Sequence, residues 1–168
     1  MATKTTTKTT TKTATKAPAK AAGRTGEVTK FTDEELAAAR ERAKELKAQA
    51  KRGPGADREL GERDVLDKIA GMPKDDRVMA ERIHAIVQDV APDLTPRTYY
   101  GMPAYAKDGK VLCFFQPASK FKARYATFGV NDDAKLDDGS MWATSWALTK
   151  LTPADEKRIA ELVKKAAR

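Results

Sequence analysis

The sequence predicts an α+β fold: an antiparallel, twisted sheet of about five strands with helices packed on one face, preceded by a disordered basic arm. Three observations lead there. Helical periodicity dominates up to residue 91, strand alternation takes over from Pro96 to Leu148, and a capped helix closes the chain. An Asp-Gly pair at 108–109 separates two apolar runs, a hairpin signal that demands antiparallel neighbours. Finally, the net charge of +8 on 168 residues is unevenly spread. Residues 1–26 hold six basic side chains and no acid, whereas the rest is close to neutral, with 26 basic and 24 acidic residues.

In chain order, residues 1–26 form the arm, with Lys4, Lys8, Lys12, Lys16 and Lys20 at every fourth position and Arg24 after them. Threonines between like charges at i,i+4 oppose a helix, and low hydrophobicity with high charge predicts disorder. Two readings stand level: a solubilising linker, or a polyelectrolyte arm for nucleic acid. In the second, the arm resembles the Lys/Ala/Thr/Pro tails of linker histones, and six phosphate contacts imply a log–log salt slope of about −5 on duplex DNA. A transit peptide is disfavoured by lysine in place of arginine and by the lack of serine.

Residues 27–54 read as a charged surface helix and linker. Thr32 and Glu35 form a capping-box pattern, and Gly53-Pro54-Gly55 ends the segment. Leu36, Ala39, Ala43, Leu46 and Ala50 make a thin apolar stripe, which suits a solvated helix on the domain surface or against a partner. The compact domain is placed at 55–168. Val65, Leu66 and Ile69 mark a short helix ending at Gly71-Met72-Pro73, and Met79, Ile83, Ile86, Val87 and Val90 mark a core-facing helix. Tyr100 leads to Gly101-Met102-Pro103, read as a break or bulge. Strands are predicted over 104–106, 111–115, 122–130 and 140–148, and Thr152-Pro153 opens the last helix.

Composition removes several functions. One cysteine (Cys113) excludes a disulfide within the chain, and with one histidine (His84) it falls short of a four-ligand Cys/His zinc site. No phosphate loop of the GxxxxGK[ST] or GxGxxG type is present. His84 lies at the edge of an apolar stripe with no nucleophile spaced to partner it, so an enzyme is not the expected reading. No apolar stretch approaches the ~18–20 residues of a membrane span, and a soluble, cytoplasmic protein without a membrane partner is expected.

The run Tyr100-Gly101-Met102-Pro103-Ala104-Tyr105, with Gly109-Lys110, the Phe114-Phe115 strand, Ala91-Pro92 and Asp137-Asp138-Gly139-Ser140-Met141-Trp142, resembles the YdhG-like family of small bacterial proteins. The resemblance covers roughly residues 55–167. It implies a sheet flanked by helices, similar to the YjbR/CyaY-like proteins and frataxins. It also implies a non-enzymatic role, described for some members as intracellular iron chaperoning, with an iron-accepting protein as partner. No catalytic residues carry over. Among the residues themselves, Asp132, Asp133, Asp137 and Asp138 are the best carboxylate cluster for iron, since the helix from Asp75 mixes its acids with Lys74, Arg77 and Arg82. On the side of the sheet away from the helices, Tyr100, Tyr105, Lys110, Tyr125 and Trp142 are candidates to line a ligand or nucleic-acid platform.

Overall fold

The computed structural model describes residues 31–52 and 54–168, residues 54–56 in backbone only; the basic arm lies outside this range. Three helices come first: α1 (Asp33–Ala50), α2 (Pro54–Ala70) and α3 (Lys74–Val90). Strands β1 (Thr95–Tyr99), β2 (Met102–Lys107), β3 (Lys110–Gln116), β4 (Ala126–Val130) and β5 (Ser145–Leu148) follow, with a short 3-10 turn at Ser119–Phe121, and α4 (Pro153–Ala166) ends the fold. The strands form one antiparallel sheet in the order β1-β2-β3-β4-β5. The predicted α+β class and strand number are therefore observed. Residues 31–168 form one compact unit, which includes α1. No helix of the described residues is long and apolar enough to cross a membrane.

Local chemistry accounts for the boundaries. Thr32 and Glu35 cap α1 reciprocally, and Thr152 with Asp155 does the same for α4, each satisfying backbone donors that a helix start leaves open. α2 begins at Pro54, eleven residues before the predicted short helix, because proline at a first helical position starts a helix rather than ending one. Two turns join the first three strands. Asp108 (φ 50°) and Gly109 (φ 81°) form the predicted hairpin. Tyr100 (φ 53°) and Gly101 (φ 73°) form a second two-residue hairpin of the same left-handed kind, a break in the strand where a break or bulge was expected. The bulge sits instead on β3. Tyr105 pairs with Cys113 and Ala106 with Val111, so Leu112 is the extra residue and enters the same core as Cys113.

Two strands are shorter than predicted. Lys122 adopts φ 51°, which turns the chain out of extended geometry and delays β4 until Ala126. β5 pairs only over Ser145–Leu148, so Trp142 and Thr144 precede the ladder rather than sharing its face with Trp146, although the Thr144 carbonyl accepts from Val130 N at 2.9 Å.

The core lies between one sheet face and helices α2–α4. Tyr105, Cys113, Phe115, Phe128 and Val130 meet Val65 and Ile69 of α2, Met79, Ile83 and Val87 of α3, and Ile159 and Val163 of α4. The α3 stripe is thus the one predicted. Fully burying Phe115 or Phe128 contributes ~1.5–3 kcal/mol each. α2 packs against β1 so closely that a Cβ on Gly61 would overlap the Pro96 carbonyl.

Candidate functional site

Two sites emerge around the Tyr100–Tyr105 run, one inside the core and one at its surface. The inner site is a polar chain. Tyr105, wholly buried, meets His84 Nδ1 through its hydroxyl at 3.1 Å, and His84 Nε2 meets Glu62 Oε1 at 2.8 Å. In the tautomer that carries its proton on Nε2, His84 donates to the Glu62 carboxylate and its Nδ1 accepts from the Tyr105 hydroxyl. Burial pushes the Tyr105 hydroxyl well above its ordinary value, with Cys113 and Glu62 adding to it. Cys113 is also wholly buried, and its thiol is pushed up to about 12 by desolvation. His84, placed by the sequence at the edge of the α3 stripe, has two polar neighbours, and neither it nor Cys113 faces solvent.

The surface site lies where α1 meets the β1–β2 turn. Left-handed backbone at Tyr100 and Gly101 points two successive N–H groups outward, and both donate to the Glu45 carboxylate, at 3.0 and 2.7 Å. One turn earlier on α1, Glu41 receives Lys68 Nζ at 2.6 Å and Lys120 Nζ at 2.5 Å. Partial burial opposes ionisation of Glu41, but the hydrogen bonds from Lys120 and Lys68 outweigh it and hold the carboxyl below its ordinary value. A Cβ on Gly101 would overlap the present positions of the Glu41 carboxylate and the Lys120 ammonium, and the φ of 73° at this position favours glycine. Glu34 pairs with Lys122, and Arg42 lies over the Tyr99 ring, 4.9 Å from its centroid. Behind Glu41 and Glu45 a cleft of about 350 Å³ opens between α1, α2 and Thr98 of β1, with Arg52, Asp64 and Lys68 on its wall.

α1 lies on the domain surface, as its thin apolar stripe implied, and ion pairs hold it there. Its Leu36 and Leu46 are exposed, and Ala38 is its one buried residue among those described. The helix turns Glu34, Glu41 and Glu45 inward because lysines and turn amides there offer partners, whereas two leucines offer too little apolar area to compete.

The five platform candidates are not gathered. Tyr105 is a correction: it faces the helices and is buried, so it lines no exposed surface. Tyr100 sits on the β1–β2 turn, and Tyr125, beneath Arg124, sits just before β4 at the same end of the sheet. Lys110 and Trp142 belong to the opposite end: Lys110 pairs with Lys107, and the chain after Trp142 rejoins β4 at Val130. The five-residue length of β4 separates the two ends by ~13 Å.

Of the carboxylates considered for iron, Asp133 is held by Lys110 at 2.8 Å, and that hydrogen bond, then the charge of Asp133, raises the ammonium above its ordinary value. Asp132, Asp137 and Asp138 are exposed on the chain following β4. Among the described residues no three His, Cys, Asp or Glu side chains are grouped to hold a metal ion. The arm residues Lys4, Lys8, Lys12, Lys16, Lys20 and Arg24 lie outside the described range.

Sequence reasoning missed Glu45, Asp76 and Glu62. Asp76, buried at the start of α3, clamps Ala118 N and Ser119 N at 3.1 and 3.0 Å, as Glu45 clamps its turn. Both are long-range contacts of acidic residues within charged helical stretches, where no local signal marks them. Arg97 was missed likewise; it is buried against Asp57 at 2.6 Å and the Gly109 carbonyl at 3.1 Å. No family model, curated protein or solved structure matches the chain.

Proposed function

We propose that this chain is a non-enzymatic, cytoplasmic binding protein of the YdhG-like, frataxin-like type. The observation that supports it best is the enclosure of both reactive groups. Cys113 is wholly buried, and both His84 nitrogens are spent on Glu62 and Tyr105. The charged groups gathered at the β1–β2 turn belong to clamps and ion pairs, which suit docking rather than bond making. The Tyr100–Tyr105 run that carries the resemblance has a structural task at each end, a turn at Tyr100-Gly101 and a core hydrogen bond at Tyr105.

Iron is the cargo that the resemblance implies, handed to an accepting protein. Asp132, Asp137 and Asp138 are the ligands available for it, with Asp133 recruited at the expense of its Lys110 pair. Anaerobic calorimetric titration of Fe(II) into the full chain, with Mg²⁺ as competitor, tests this role. Micromolar binding that survives excess Mg²⁺ and weakens in Asp132→Asn/Asp133→Asn supports it; absence of heat removes it.

A second reading is favoured by the segregation of charge, six basic residues and no acid in residues 1–26. Here the arm binds nucleic-acid phosphate. Replacing its five lysines by glutamine is expected to flatten the salt dependence of duplex DNA binding by roughly 4 to 5 units of log–log slope. Equal binding by both proteins leaves the arm as a solubilising linker.

A further inference from the structure

We propose that the surface beneath α1 is an oxyanion cradle for nucleic-acid phosphate, which α1 fills with its own glutamates when no strand is bound. The inference rests on the nucleic-acid reading of the arm and adds a second, folded contact site to it.

The donors come from three separate places in the fold. Lys68 projects from α2, Lys120 and Lys122 from the 3-10 turn and its exit, and the amides of Tyr100 and Gly101 from the β1–β2 turn. They converge on three carboxylates of a single α1 face, Glu34, Glu41 and Glu45. Two ammoniums around one oxyanion, beside two successive amides of a left-handed turn, form the kind of donor set that holds phosphate oxygens. In this fold the carboxylates of Glu41 and Glu45 stand where such oxygens would sit. Gly101 lets the Glu41 carboxylate and the Lys120 ammonium sit where a Cβ would otherwise project.

The attachment of α1 is of a kind that an anion can replace. Ala38 is its one buried residue among those described, and Leu36 and Leu46 face solvent, so little apolar area holds the helix down. Beside Arg42 over the Tyr99 ring and a Gln49 hydrogen bond to the Thr98 carbonyl, its hold consists of ion pairs and charge-assisted hydrogen bonds, which salt screens and which phosphate can supply in turn. α1 also follows directly on the basic arm in sequence, so a strand captured by the arm is delivered at high local concentration to the helix that blocks the cradle. Duplex DNA is the ligand this arrangement suits, because a repeated phosphate matches both the arm's repeated lysines and the several donors of the cradle.

The test uses the full chain and a fluorescein-labelled DNA duplex, read by anisotropy across a salt series, with hydrogen exchange of α1 read in parallel. Glu41→Gln, which frees Lys68 and Lys120, is expected to tighten binding at least threefold, and by more than the charge-matched control Glu59→Gln outside the cradle. Lys68→Gln/Lys120→Gln is expected to reduce the log–log salt slope by about 1.8, the share of two phosphate contacts. DNA is expected to speed exchange of residues 33–50 while the sheet amides stay protected. If both cradle variants match the wild type while the arm variant loses binding, the arm reading stands and the cradle is overturned. If the arm variant binds as tightly as wild type, the arm reading fails and the cradle is judged on its own variants. Loosening of α1 by inorganic phosphate at matched ionic strength, with DNA inert, overturns the nucleic-acid assignment. No DNA binding by the wild type overturns both.

Discussion

Replacing Tyr105 by phenylalanine removes one oxygen from the centre of the core and orphans the Nδ1 of His84. Two costs add. The hydrogen bond at 3.1 Å is lost, about 1 kcal/mol net, and a buried acceptor is left without a donor, another 1–3 kcal/mol. Tyr105 is wholly buried and His84 nearly so, so water has little access to substitute. A destabilisation of roughly 2–4 kcal/mol follows, equivalent to a fall of about 4–16 °C in Tm for a chain of this size. Urea unfolding followed by tryptophan fluorescence measures it, with the m-value expected to stay constant. The double variant Tyr105→Phe/His84→Leu removes both partners, and its cost is expected to fall below the sum of the single changes by at least 0.5 kcal/mol. A loss under about 0.5 kcal/mol for Tyr105→Phe alone, or strict additivity in the pair, would refute the reasoning.

Gly61→Ala forces a methyl group against the Pro96 backbone carbonyl and must push α2 off β1; a loss of at least 1–3 kcal/mol is expected from thermal unfolding. Cys113 is expected to resist a thiol reagent in the native state and to react fully in denaturant, because burial keeps the thiol protonated to about 12 and closed to the reagent. Labelling at native-state rates comparable to a free thiol would contradict this. Glu34 and Glu41 are held below their ordinary value of 4.5, Glu34 chiefly by its hydrogen bond to Lys122 and Glu41 by those from Lys120 and Lys68 against the opposing cost of burial. Their contribution is therefore complete above that value and is lost as pH falls through the depressed folded pKa. Hydrogen exchange of α1, corrected for intrinsic rates, is expected to accelerate below about pH 4.5 before the sheet opens, and simultaneous opening of both would count against it.

What the sequence discloses depends on how local the deciding interaction is. The α3 stripe was legible because Met79, Ile83 and Val87 repeat at helical spacing over one continuous face. The turn at Asp108-Gly109 was legible because Asp-Gly itself tolerates left-handed backbone. Tyr100-Gly101 adopts the same turn, yet tyrosine seldom takes positive φ, and the Glu45 carboxylate that steadies it lies 55 residues away along the chain. The docking face of α1 was hidden for the same reason: an apolar count favours Leu36 and Leu46, while partners supplied by α2 and the 3-10 turn decide for the glutamates. Tyr105 could be placed on either sheet face until the register was known, and the Leu112 bulge shows how one extra residue changes which side chains share a face. The chain Glu62–His84–Tyr105 joins residues of α2, α3 and β2, so it exists only once those elements pack.

The strictly sequential order of the sheet bears on how the protein is made. Every strand pairs with its neighbour in the chain, so no pairing closes a connection longer than fourteen residues. The first three strands need only two-residue turns, and they can zip together as soon as they have left the ribosome, with α2 and α3 already synthesised to cover them. β5 and α4 are different: a fourteen-residue stretch separates β5 from β4, and α4, synthesised after both, adds Ile159 and Val163 to the core that holds Phe128 and Val130. A nascent chain halted before α4 therefore carries an assembled sheet with part of its apolar face uncovered, and it is in this interval that the protein has most need of a chaperone.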